Sequence, residues 1–143
     1  MSHPDHQPGA IHVFVYGTLR AGEANDLRVA AAKRGIPAPE LLGAATLHGC
    51  LYDFGAYPGL VLDPTGTAVR GDVYRIDAAL VPVLDEIEEV YPGGDALFLR
   101  ENHAVMLGSE FVDCIVYPVS AQHIAGRPVI AGGDWVAHRL ARV

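Results

Sequence analysis

The sequence is poor in the features that usually announce a partner. Its 143 residues include two cysteines and one tryptophan, fewer than a fifth are charged, and the 10 basic residues are outnumbered by 17 acidic ones. The formal charge of -7 leaves no basic stripe for a phosphate backbone and no polybasic patch for an anionic membrane, so no nucleic-acid partner is expected. Cys50 and Cys114 are too few for a disulfide framework and too far apart for a zinc site with paired ligands. No apolar run approaches the ~20 residues that span a bilayer, and the first residues lack the basic start and apolar stretch of a secretory signal. A soluble cytoplasmic chain with reduced thiols and no membrane contact is the expectation. His3 and His6 in that opening segment lack the third and fourth rigid ligands that a metal requires, so no metal site is expected.

What is present reads as one compact, loop-rich domain: half of the residues are hydrophobic, punctuated by 16 glycines and 10 prolines. Residues 1–10, with Pro4, Pro8 and Gly9 and almost no apolar side chain, read as a mobile tail, and residues 11–143 as the domain. "IHVFVYG" predicts a buried strand, and "NDLRVAAAKRG" a short helix with Asn25 or Asp26 as its N-cap and Gly35 as its stop. Strand-like runs follow from Leu41 to Leu62, broken by a turn expected at Pro58 and Gly59, then "DPTG" as another turn. "AVRGDVYRI" is a further strand, after which Asp77 caps a helix through "AALVPVLDEIEEV", with Pro82 in its first turn. "FLRENHAVML" and "FVDCIVYPV" predict two strands linked at Gly108 and Ser109, with "GGDW" and a short tail after them. Many short strands and two helices predict an α+β fold: a small mixed, curled β-sheet or barrel with flanking helices. The glycine turn matches neither nucleotide-binding signature, which argues against a doubly wound fold.

Two stretches can carry chemistry. On a helical wheel, Leu80, Val81, Val83, Leu84, Ile87 and Val90 form an apolar arc, and Asp85, Glu86 and Glu89 fall on the solvated side. Glu88 lies between Leu84 and Val81, about 80° from the centre of the arc, as the one inward-facing acid. Partial burial should raise its pKa and suit it to proton transfer near neutrality. The second stretch is "YGTLR", where a buried strand runs into a turn at Gly17. A glycine there can take backbone angles that other residues avoid, and successive N–H groups can converge on one anion.

Tyr16-Gly17-Thr18-Leu19-Arg20 with Gly22 and Asn25, then Gly71-Asp72-Val73-Tyr74, then Leu84-Asp85-Glu86-Ile87-Glu88 closely resemble the gamma-glutamylcyclotransferase-like family. The resemblance spans nearly the whole domain and extends to "FLR", "VYPV" and "GDW" in the same order. It implies a small β-barrel with flanking helices, no cofactor, and a small γ-glutamyl substrate. Tyr16, Gly17, Thr18 and Leu19 would hold the glutamyl part through their backbone, and Glu88 would be the catalytic general base and acid. Intramolecular attack of the α-amine on the γ-carbonyl would release 5-oxoproline and a free amine. Two departures bear on substrate choice: Glu89 stands where many relatives carry glycine, before the loop "VYPGGDA", and Phe98-Leu99-Arg100 stands where relatives often show Tyr-x-Arg. Two other readings use the same residues differently. One is a non-catalytic module that binds a small amino-acid-like ligand in the same cavity; the other is a hydrolase with Cys114 as nucleophile and His103 as base.

Overall fold

Residues 13–15 of strand β1 (Ile11–Val15) form a continuous apolar run because both faces of the strand are covered there. In the computed structural model, which describes residues 11–23, 25–88 and 98–142, Phe14 and Tyr16 point to one hydrophobic cluster and Val13 and Val15 to a second. A strand clad on both sides loses the apolar–polar alternation of a half-exposed one. The reading of residues 1–10 as a tail, and the two histidines in it, lie outside the described residues.

The sheet contains β1, β2 (Glu40–Asp53), β3 (Pro58–Leu62), β4 (Thr67–Ile76), β5 (Glu101–Leu107) and β6 (Glu110–Val116). Their order is β3-β2-β4-β1-β6-β5, and β2 pairs again with β5 at Ala45↔Leu107 and Thr46↔Met106. That second pairing closes five strands into a barrel, with β3 as an added strand beside β2. Among the described residues only β1 and β6, which meet at Val13↔Ile115, run parallel; the other strand pairings are antiparallel. The long β2 can serve three neighbours because it bends: its register with β4 shifts between Leu41 and Gly43, and Gly43 takes φ 146°. The barrel interior holds Phe14, Tyr16, Leu51, Leu60, Val69 and Val105, closed off by Trp135. Outside, Val13, Val15, Tyr74 and Ile76 pack under the helices with Leu27, Ala31 and Leu84.

Helix α1 (Leu27–Lys33) starts where expected, with the Asp26 side chain accepting the Arg28 N–H. Asp77 does cap, but it caps a 3₁₀ turn at Ala78–Leu80, and helix α2 (Val81–Ile87) follows from it. Pro82 is tolerated in the first turn of α2, where its missing N–H has no intrahelical partner to lose. Because α2 ends at Ile87, Glu88 is its C-cap; Glu89 and Val90 fall outside the described residues. A third helix, α3 (Trp135–Ala141), was not expected. Asp134 caps it by accepting the Ala137 N–H, and burial of Trp135 against the barrel, a tertiary gain, supports so short a helix. The turn expected at Pro58 and Gly59 lies earlier, at Phe54 to Tyr57, where Gly55 takes φ 93° and the Phe54 N–H donates to the Tyr57 carbonyl. Pro58 and Gly59 already pair with Asp53 and Tyr52 as the start of β3. No helix among the described residues is long and apolar enough to cross a membrane.

Gly71 in β4 lies against the end of β1, with no room for a side chain. A Cβ there would collide with the Val15 carbonyl oxygen and lie 2.7 Å from the Phe14 ring. Gly71→Ala is therefore expected to cost about 1–3 kcal/mol by overpacking, read as a lower urea midpoint at unchanged slope.

Candidate active site

At the end of β1 a cavity of about 320 Å³ opens between the barrel mouth and α2. It is lined by Tyr16, Gly17, Thr18, Leu19 and Glu88 together, so the two stretches singled out in the sequence meet in one place. The turn is built by its own backbone: the Arg20 N–H donates to the Gly17 carbonyl at 3.0 Å, and the carbonyls of Thr18 and Leu19 accept the N–H groups of Asn25 (2.8 Å) and Leu27 (3.1 Å). Among the described residues, no assigned hydrogen bond uses the N–H groups of Gly17, Thr18 or Leu19, which leaves donors for an anionic group.

Gly17 is needed for a different reason from the one expected. Its φ is not in the left-handed region; instead, a Cβ would lie 2.6 Å from the Pro58 ring. The glycine lets the turn close against the first residue of β3. Tyr16, beside it, is a buried strut: its hydroxyl donates to the Tyr117 carbonyl at 2.6 Å and accepts the Leu60 N–H at 3.2 Å. Burial, then the charge of Glu88, holds its pKa well above the ordinary phenol value. The Thr18 hydroxyl accepts from the Asn25 side-chain amide at 3.1 Å, which steadies the rim.

Arg20 does not line this cavity. It reaches back to the carboxylates of Asp72 and Asp134, both at 3.3 Å, with only 17% of its side chain exposed. The turn after β1 thus carries a basic residue because one guanidinium joins three motifs: the turn, "GDVY" and "GDW".

Glu88 keeps intermediate exposure as a residue, yet its carboxyl is crowded by protein, and burial pushes its pKa from 4.5 up to about 7. Asp85, read from the wheel as a solvated acid, is held instead on both sides. One carboxylate oxygen accepts the Tyr117 hydroxyl at 2.7 Å, and the other accepts Arg100 at 2.6 Å. Glu86 is the exposed acid of this helix, loosely paired with Arg34 at 3.3 Å. Sequence reasoning also left Asn25, Tyr57, Phe98 and Tyr117 out of the site, although all four line the cavity. Asn25, Phe98 and Tyr117 sit inside quoted motifs, which was the available signal. The Phe98 and Tyr57 rings lie 5.7 Å apart and tilted to one another, and together they give the cavity an aromatic wall.

The cysteine reading fails on burial. Cys114 is a barrel-core residue whose thiol is pushed up to about 12 by desolvation and then by Asp113, the reverse of what a nucleophile needs. His103 pairs with Glu101 at 2.8 Å on the strand alongside.

Residues 13–137 match the family "Gamma-glutamyl cyclotransferase, AIG2-like", and the chain belongs to that family. It is 32% identical over 127 residues to the gamma-glutamylcyclotransferase family protein YtfP of Escherichia coli, covering 88% of this chain and 96% of that one. It is 29% identical over 131 residues to the gamma-L-glutamyl-butirosin B gamma-glutamyl cyclotransferase of Niallia circulans, covering 91% and 73%. Its fold matches the crystal structure of an AIG2-like protein from Mus musculus at a TM-score of 0.66 and 24% identity, over 83% and 84% of the two chains. These matches support an enzyme of the gamma-glutamylcyclotransferase kind.

The raised Glu88 pKa has a consequence for stability. Below about 4.5 the carboxyl is protonated in both folded and unfolded chains and contributes nothing. Between about 4.5 and 7 the folded chain keeps a proton that the unfolded chain has released, so stability falls as pH rises. Above about 7 the destabilisation is complete, and the shift bounds it at about 3 kcal/mol before solvent screening. Glu88→Gln should match the wild type near pH 4 and exceed it in stability at pH 8, as measured by urea unfolding across that range.

Proposed function

We propose that this protein is a γ-glutamyl cyclotransferase that releases 5-oxoproline and a free amine, with Glu88 as its general base and acid. The observation that carries the reading is that an acid with a pKa near 7 lines the same cavity as the turn Tyr16 to Leu19 and its free N–H donors. Each half of the reaction needs one of these features.

Nucleophile and electrophile belong to one molecule, so the first task is to hold the glutamyl chain curled, with amine and γ-carbonyl in contact. The backbone of Gly17, Thr18 and Leu19 would do this. The α-amine then attacks the γ-carbonyl carbon, forming the ring C–N bond, and the Glu88 carboxylate takes a proton from the attacking nitrogen. Negative charge collects on the former carbonyl oxygen, where backbone N–H donors stabilise it. Collapse of the tetrahedral species breaks the bond to the departing nitrogen, which receives the proton from Glu88. The atoms balance with no change of oxidation state. A cavity of about 320 Å³ is at the small end of ligand sites and suits a glutamyl group with a modest amine.

The test is a panel of γ-glutamyl amines, amino acids and peptides incubated with the protein, scoring 5-oxoproline by mass. A compound that binds and is recovered unchanged throughout the panel would identify a binding module instead. On any substrate found, kcat/KM should rise with pH and reach half its plateau near 7, as Glu88 ionises. Glu88→Gln should lose that limb and reduce kcat ~10²–10⁴-fold, with KM changed little because the turn still holds the glutamyl group. Glu86→Gln is the matched control: it removes an equal charge from the exposed side of α2 and should leave turnover within about two-fold.

A further inference from the structure

Three tyrosines, Tyr16, Tyr57 and Tyr117, border the cavity, and the hydroxyls of Tyr16 and Tyr117 differ in what their oxygens can still accept. A phenol has one proton and two lone pairs. Tyr16 spends its proton on the Tyr117 carbonyl and a lone pair on the Leu60 N–H. Tyr117 gives its proton to Asp85 Oδ1 at 2.7 Å, and Asp85 is kept from swinging away because its Oδ2 accepts Arg100 Nη1 at 2.6 Å. Among the described residues no assigned hydrogen bond is donated to Tyr117 Oη. Burial and the Asp85 hydrogen bond hold the Tyr117 pKa far above the ordinary phenol value, so that proton stays in place at neutral pH. The charge of Glu88 bears on the same hydroxyl, which puts the two groups within electrostatic reach of one another.

We infer that Tyr117 Oη is a substrate-binding acceptor for the α-amino group, and that Asp85 is the positioning residue that keeps the Tyr117 proton turned away from the cavity. The inference rests on the γ-glutamyl reading above and adds a second contact to the reacting nitrogen. It divides the cavity by polarity. The turn offers N–H donors to anionic groups of the substrate, and Glu88 and Tyr117, which line the same cavity, offer two acceptors to the amino group. An amine that donates one N–H to each oxygen keeps its own lone pair directed elsewhere, as attack on a carbonyl carbon requires. Arg100 anchors Asp85, and Asp85 orients Tyr117, so "FLR", "LDEIE" and "VYPV" serve one atom.

The test uses NMR titration of the full chain with two ligands, L-glutamine, the simplest γ-glutamyl amide, and glutaramate, the same skeleton without the α-amino group. The wild type should bind glutamine the more tightly. Tyr117→Phe should weaken glutamine ~10-fold or more, the worth of a hydrogen bond to a charged group, and leave glutaramate within about two-fold. Asp85→Asn should act on the same ligand in the same direction, because an asparagine amide can donate to Tyr117 Oη and turn its hydroxyl proton into the cavity. The double variant should be no weaker than Tyr117→Phe alone, since Asp85 acts through that hydroxyl. Equal weakening of both ligands by Tyr117→Phe, or undiminished preference for glutamine in that variant, overturns the assignment while leaving the γ-glutamyl reading in place. A wild type that binds neither ligand, or does not prefer the amino ligand, overturns that reading together with the inference.

Discussion

The site depends on the hydroxyl of Tyr16. It lies just past the end of β1 and joins three segments that are distant in sequence: its own turn, β3 through the Leu60 N–H, and the chain leaving β6 through the Tyr117 carbonyl. An unpaired phenol in this position would bear the desolvation cost of a buried polar group, so the three segments converge on the arrangement that satisfies it. The Val119 N–H, donating to the Leu60 carbonyl at 2.9 Å, ties the last two segments to each other.

Around that joint the family's motif residues divide into those that face the cavity and those that hold it open. Arg20 and its two aspartates tie the turn to β4 and to the cap of α3. Arg100 and Asp85 tie α2 to the strand end that carries Tyr117. The first tie joins largely buried groups and the second a more exposed pair, and each charge has a partner, so neither group is left uncompensated. Gly17 and Gly71 act by absence: one admits the Pro58 ring and the other the Val15 carbonyl and the Phe14 ring. Among the described residues that line the cavity, Glu88 is the one whose burial is not compensated. Its only resolved perturbation is desolvation, and that leaves an acid whose pKa lies near neutrality.

Much of this was legible in the linear sequence, and the reasons are local. The strands, α1 with its Asp26 cap, and the hairpin at Gly108 and Ser109 follow from β-branched runs, a capping side chain and a glycine pair, each a property of a few neighbouring residues. The inward position of Glu88 followed from helical spacing, even though the helix stops at Ile87, because a C-cap residue still continues the wheel by one step. The motifs carried the family, and with it the barrel.

Tertiary structure alone decided what the polar residues do. Asp85 shows the difference: helical spacing puts it outside the apolar arc, and only the fold brings Tyr117, 32 residues later, and Arg100 to its two oxygens. Arg20 reads as a basic residue after a turn, and its partners are 52 and 114 residues away. Cys114 reads as a candidate nucleophile until the barrel closes over it. α3 reads as a tail until Trp135 finds the barrel end. Periodicity and capping act within a turn or two of the chain, so the sequence by itself determines elements and their apolar faces; hydrogen-bond partners are selected by barrel closure, which brings β2 to β5 and all three helices to the walls.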